Sequence, residues 1–257
     1  MRQSTPLLWL LPLLVLGSCA SEGEHDEHGR ESSEHESEHD GDEHGADEHD
    51  GGHDDSARAH DGWRPLFDGT STAGWMNYGK ATIAKGWEAQ DGALVMVGGG
   101  GDIVTADEYE DFELELEWQV APGGNSGVFF NVVDGLGAVW SSGPEMQVLD
   151  NTTHHDGKNV LTSAGSCYAL YPPSRDVTRP AGQWNQARLM SKNGHVQHWL
   201  NGTLLCEYTI GSDDWNERVA ASKFKDMPEF GSASRGRIAL QDHGDRVAFR
   251  NLRIREL

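Results

Sequence analysis

Glu145 and Gln147 alternate with Met146 and Val148 in the run Glu145-Met146-Gln147-Val148-Leu149-Asp150. In a strand, residues two apart project from the same face, so the carboxylate and the amide point together. Ile238-Ala239-Leu240-Gln241-Asp242-His243 repeats the pattern with Gln241 and His243. Val196-Gln197-His198-Trp199-Leu200 sets His198 on the face of Val196 and Leu200, and parity then assigns Trp199 to the opposite face and, with other sandwich aromatics, to the core. Any one of these strands could be a solvated edge. Carboxylate, amide and imidazole recurring in three segments instead predict a shared polar cleft that binds a ligand or moves a proton.

Other clusters carry less. Glu113, Glu115 and Glu117 place three carboxylates on one strand face, yet they alternate with Phe112, Leu114, Leu116 and Trp118, which reads as an outer face over a buried one. Gly123-Gly124-Asn125-Ser126-Gly127 could bring backbone amides to a ligand or serve as a plain hairpin loop; without a following helix or a phosphate-loop lysine it does not read as a nucleotide site. His154 and His155 sit in an Asp/Gly/Thr-rich loop, rimming a cleft or merely exposed. Cys167 and Cys206 both fall in apparent strands, where a buried free thiol and a disulfide remain open alternatives.

The elements that must position these groups are strands. Phe112 to Trp118 alternates strictly. Val247 and Phe249 share a face while Leu252 and Ile254 take the other parity, which predicts a bulge near Arg250. Asp91-Gly92, Asn193-Gly194 and Asn201-Gly202 are hairpin turns, because both central residues of such turns need positive φ. Many short strands with regular turns predict an all-β sandwich or jelly roll. One short helix is expected across Trp215 to Phe224, capped by Ser212 or Asp213.

Upstream, Arg2 precedes the apolar stretch Leu7 to Leu16, too short to span a bilayer, and Leu16-Gly17-Ser18-Cys19 reads as a lipobox whose Cys19 is lipidated. Ala20 after the cysteine points to the outer membrane. Residues 1–19 are thus a lipoprotein signal, residues 20–62 a disordered His/Asp/Glu-rich tether, and residues 63–257 one sandwich domain. Glu22 to Asp61 holds 17 acids against Arg30 and Arg58, carrying −15 of the formal −22, together with eight histidines. Without large apolar residues it cannot offset its ordering entropy, and it reads as a self-repelling spacer; metal scavenging by its imidazoles is the sharper alternative. No basic stripe is visible, so no nucleic-acid partner is expected.

Across Gly62 to Leu257 the chain resembles the bacterial 3-keto-disaccharide hydrolase family. The resemblance is carried by Leu66-Phe67-Asp68-Gly69, Gly123-Gly124-Asn125-Ser126-Gly127-Val128-Phe129-Phe130, Glu145-Met146-Gln147-Val148-Leu149-Asp150-Asn151, Tyr168-Ala169-Leu170-Tyr171-Pro172-Pro173, His198-Trp199-Leu200-Asn201-Gly202 and Leu240-Gln241-Asp242-His243-Gly244, in that order. Ser166-Cys167 departs from the small apolar pair expected before Tyr168. The resemblance implies a concanavalin A-like sandwich that binds a sugar on its concave sheet and cleaves glycosides whose C3 another enzyme, a sugar 3-dehydrogenase, has already oxidised to a ketone. That ketone acidifies the C2 proton; a base forms the enolate, the C1 substituent leaves, and water adds. On this basis His198 is expected as the base and Tyr168 as donor to the leaving oxygen. Glu145 and His243 either hold a divalent ion on the ketone or act by hydrogen bonding. Gln147 and Gln241 orient hydroxyls, Asp150 supports them, and Asn125 is a further substrate contact. A non-catalytic carbohydrate-binding sandwich would present the same polar cleft, and a surface metal-binding lipoprotein is a third reading.

Overall fold

A computed structural model describes residues 62–257; Cys19, the lipobox and the acidic tract to Asp61 lie outside the described residues. In chain order the strands are β1 (Arg64–Pro65), β2 (Trp75–Asn77), β3 (Trp87–Gln90), β4 (Ala93–Met96), β5 (Ile103–Thr105), β6 (Phe112–Val120) and β7 (Asn125–Val132). They continue as β8 (Glu145–Leu149), β9 (Asn185–Lys192), β10 (His195–Leu200), β11 (Thr203–Thr209), β12 (Arg237–Leu240) and β13 (Val247–Glu256), with one helix, α1 (Asp213–Ala220). They form two antiparallel sheets, as the alternation and turn spacing require. One runs β11-β10-β9-β6-β13-β4-β3 with β1 added beside β13; the other runs β2-β5-β12-β7-β8.

The sheets bury their facing sides. Phe112, Leu114, Trp118, Val196, Leu200, Phe249 and Ile254 of the larger sheet meet Val128, Phe130, Met146, Val148, Ile238 and Leu240 of the smaller in one core. The register of β13 slips between Arg250 and Arg253, with Asn251 at φ 54°, and this bulge keeps both Phe249 and Leu252 inward despite their opposite parity. The turn pairs Asp91-Gly92, Asn193-Gly194 and Asn201-Gly202 all have positive φ at both residues. Gly123-Gly124 is not a hairpin loop, because β6 and β7 belong to different sheets; it carries the chain from one layer to the other.

Helix α1 is capped by Ser212, whose hydroxyl accepts from the Trp215 amide at 3.2 Å. It stops at Ala220, short of Phe224. There the Ser222 hydroxyl donates to the Val219 carbonyl and accepts from the Phe224 amide, replacing helical bonds with a turn.

Candidate active site

The outer face of the smaller sheet is where polar groups collect. Glu145 pairs with Phe129 and Gln147 with Gly127 across β7 and β8, and paired residues share a face, opposite Met146 and Val148. Gly127 makes the room: a Cβ there would overlap Glu145 Oε1 and stand 2.9 Å from the Phe129 ring. The edge of β8 is covered by residues 165–168. Gly165 donates to the Gln147 carbonyl at 2.8 Å and Tyr168 to the Glu145 carbonyl at 3.1 Å. Since Cys167 bridges Met146 on the core side, its neighbour Tyr168 emerges on the side of Glu145.

Glu145 is 8% exposed, and its carboxylate has no hydrogen-bond partner among the described residues. Burial pushes its ionisation up to about 8; Lys223 pulls it back down, while Asp102 and Asp156 add to the rise. A buried carboxyl left unpaired and poised near neutral pH is a signature of proton transfer. Tyr168 stands beside it, its hydroxyl 3.4 Å from Asp156 Oδ2, and burial together with Asp156 and Glu145 raises it to about 12. The Lys223 ammonium lies 4.1 Å from the centre of the Tyr168 ring. Asp156 and Lys223 were not foreseen from sequence, since one comes from the 3-10 turn His155–Lys158 and the other from the turn after α1, neither with strand periodicity.

The remaining expected residues are placed differently. His198 points between the sheets and has no exposed surface. Its Nδ1 donates to the Gly165 carbonyl at 3.2 Å, and its Nε2 accepts from the Tyr208 hydroxyl at 3.0 Å. Burial lowers it to about 4, so the ring is neutral and structural at ordinary pH. It does not reach the face of Glu145. Strand parity identified the residues that share a side but not which side is inward: His198 is in the core and Trp199 outside, 5.1 Å beneath the Arg188 guanidinium. Gln147 is buried, its amide donating to the Thr162 carbonyl at 3.2 Å, and it fastens the 150–168 loop rather than facing a ligand. Asp150 accepts from the Gly123 amide at 2.8 Å and the Thr152 amide at 3.0 Å, which hold it below the usual carboxylate range against the opposing effect of burial. Asn125 is buried with Oδ1 unpartnered. Gln241 and His243 lie beyond the end of β12, Gln241 half-buried and His243 exposed.

Glu145 and His243 were expected to share an ion. Among the described residues, the group whose donor atoms lie within 4.8 Å of one another is instead His154, His155 and Asp156. His243 stands next to it, its ring 6.3 Å from that of His154. His154 Nδ1 already accepts the Asp156 amide at 3.2 Å, so this donor set suits a cation but is not fully prearranged.

A cavity of about 1180 Å³ lies on the outer face of the other sheet, lined in part by Glu115, Glu117, Arg188 and Arg253. Its carboxylates are engaged: Glu115 binds Arg253, Glu117 binds Arg250, and Asp68 accepts from the Thr70 and Ser71 amides and the Ser71 hydroxyl; beside them Glu113 binds Arg188 and Arg255. Every acid on this face has a partner, whereas Glu145 has none, which makes Glu145 the stronger candidate. Cys167 is buried and Cys206 half-buried, both as free thiols.

Fold and face together define a β-sandwich with a buried acid on one outer sheet surface. Residues 62–255 match the 3-keto-alpha-glucoside-1,2-lyase-like domain, and the chain belongs to that family. The 3-keto-disaccharide hydrolase of Bacteroides thetaiotaomicron is 34% identical over 229 residues, covering 77% of this chain and 79% of that protein. Two crystal structures from Parabacteroides distasonis, of proteins provisionally named glycosyl hydrolases, are also similar. One has a TM-score of 0.72 and 34% identity, covering 76% of this chain and 94% of the other; the second has 0.62 and 27%, covering 76% and 99%.

Proposed function

We propose that this chain is an exported, lipid-anchored enzyme that cleaves 3-keto-glycosides by elimination and rehydration. The observation that carries this reading is Glu145, buried, unpaired and ionising near 8. Family membership and the name of the Bacteroides relative supply the substrate class. The C3 ketone makes the C2 proton acidic enough for a carboxylate to remove. Glu145 takes that proton, in place of the expected His198, and the C2–H electron pair forms a C2=C3 enolate. Return of the pair expels the C1 oxygen, which Tyr168 protonates; with its ionisation raised to about 12, it keeps its proton across the working range. Water then adds to the unsaturated ketone, with its hydroxyl at C1 and a proton at C2.

Gln241, half-buried past β12, is the proposed hydroxyl contact; Asn125 is too buried for that role as the chain stands, and Gln147 and Asp150 act on the loop. A divalent ion held by His154, His155 and Asp156 would polarise a nearby sugar oxygen. The substrate must come from a sugar 3-dehydrogenase, and Cys19 is the proposed attachment point to the outer membrane. The test is product release from a 3-keto-disaccharide and its unoxidised parent, each with and without chelator. Cleavage of the oxidised sugar alone supports elimination, and loss with chelator assigns the ion. Binding without cleavage would make the sandwich a carbohydrate-binding module, and cleavage of the parent would indicate ordinary glycosidase chemistry.

A further inference from the structure

Elimination through an enolate needs a positive group where the C3 oxygen gains charge, and none of the residues singled out from sequence carries a permanent one. Lys223 does. It lies in the turn after α1, and its neighbour is locked. Phe224 stacks on Phe230 at 3.9 Å, Phe230 on Trp215 at 5.8 Å, and Trp215 on Tyr208 at 5.4 Å. The Ser222 hydroxyl ties down the other side of the turn through the Val219 carbonyl and the Phe224 amide. The chain enters and leaves Lys223 from fixed points.

The side chain crosses the Tyr168 ring, with Nζ 4.1 Å from its centre. This seat is a cation–π contact to the residue proposed to protonate the leaving group. Among the described residues the ammonium has no carboxylate within 4.0 Å and donates no hydrogen bond, so its three N–H donors are unspent. Burial lowers its ionisation, and Glu145 and Asp156 oppose that fall. It is also the cation that acts on Glu145.

We propose that Lys223 is a further catalytic residue, whose ammonium contacts the C3 oxygen of the substrate and stabilises the enolate. This rests on the elimination reading above. Before reaction the negative charge is on Glu145. When Glu145 takes the C2 proton, the electron pair moves into C2=C3 and the charge passes to the C3 oxygen. An ammonium facing both positions stays compensated throughout, which favours the transition state over a site with fixed charge at one end.

The probe is 1,5-anhydro-3-keto-glucitol, which has no exocyclic leaving group at C1 and therefore reports enolate formation without glycosidic cleavage. Exchange of its C2 proton in heavy water is followed by NMR with the full chain, Lys223→Met and Lys223→Arg. Methionine retains an apolar stem over Tyr168 and Phe224, so loss in that variant reads the charge. Exchange should fall about 100-fold in Lys223→Met and recover to within tenfold of wild type in Lys223→Arg. Wild-type exchange with Lys223→Met inside threefold of it would overturn the assignment while leaving the elimination reading intact. No exchange by the wild type would overturn both.

Discussion

Glu145 and His198 are both buried titratable groups, and their surroundings give them opposite properties. His198 has a partner on each nitrogen and is held neutral; Glu145 has none and is held near its working pH. Glu145→Gln should therefore lose about 10³-fold in kcat on a 3-keto-disaccharide while folding normally. As the base, Glu145 must be ionised, so wild-type activity should rise with pH through about 8. A limb falling through that pH would give Glu145 the acid role instead. The groups bearing on this limb are Lys223, Asp102 and Asp156. Stability has the opposite trend: the unfolded carboxyl ionises near 4.5 and the folded one near 8, so the fold loses stability as pH rises between them. Glu145→Gln should flatten that slope in chemical denaturation. For His198, folded at about 4 against 6.5 unfolded, stability is complete above 6.5 and declines as pH falls towards 4. His198→Ala should cost about 2–4 kcal/mol, from the cavity and from the orphaned Tyr208 hydroxyl and Gly165 carbonyl. Its folded fraction should turn over substrate at the wild-type rate, and a kcat loss of more than tenfold in that fraction would restore it to the mechanism.

Among the elements, the junction of β7, β8 and the 150–168 loop decides the geometry. Gly127→Ala puts a methyl group where Oε1 of Glu145 lies, with the Phe129 ring behind it. Overpacking of this kind costs about 1–3 kcal/mol, and the displaced carboxylate should cost activity out of proportion to the loss in Tm. Unchanged kcat in Gly127→Ala would mean that the position of Glu145 does not matter. Much of this level was legible in the sequence. The Phe112–Trp118 alternation, the Asn-Gly turns, the Arg250 bulge and the pairing of Glu145 with Gln147 follow from local sterics and period. What was not legible is tertiary. His198 and Glu145 sit in different sheets, and period alone cannot tell the core side of a strand from its outer side. Gln241 and His243 fall just past β12, where the alternation continues but the strand does not. Asp156 and Lys223 reach the site through hydrogen bonds of the 150–168 loop and the aromatic stack behind the Ser222 turn, neither of which leaves a periodic trace.

At the scale of the whole molecule, the sandwich has two outer faces of different character. The larger sheet presents Arg–Glu pairs that satisfy one another, and the smaller presents an acid that nothing satisfies. The half-exposed Glu115–Arg253 pair contributes little to stability, whereas Glu113 is buried between Arg188 and Arg255; removal of the former should leave both fold and chemistry untouched. The proposed anchor is separable from that chemistry. Cys19→Ala should release the protein from detergent-extracted membranes, and removal of Glu22 to Asp61 should abolish any metal uptake by the imidazoles while cleavage persists. Membrane retention by Cys19→Ala would remove the lipid assignment.

The route of the C2 hydrogen tests elimination most directly. A 3-keto-disaccharide is cleaved in heavy water for a time short against uncatalysed exchange, and the released 3-keto-sugar is examined by mass spectrometry and NMR. Elimination followed by hydration, with the hydrogen captured by Glu145 exchanging with solvent before water adds, predicts deuterium at C2 of the product, and no cleavage by Glu145→Gln. Product that retains its original C2 proton would contradict it.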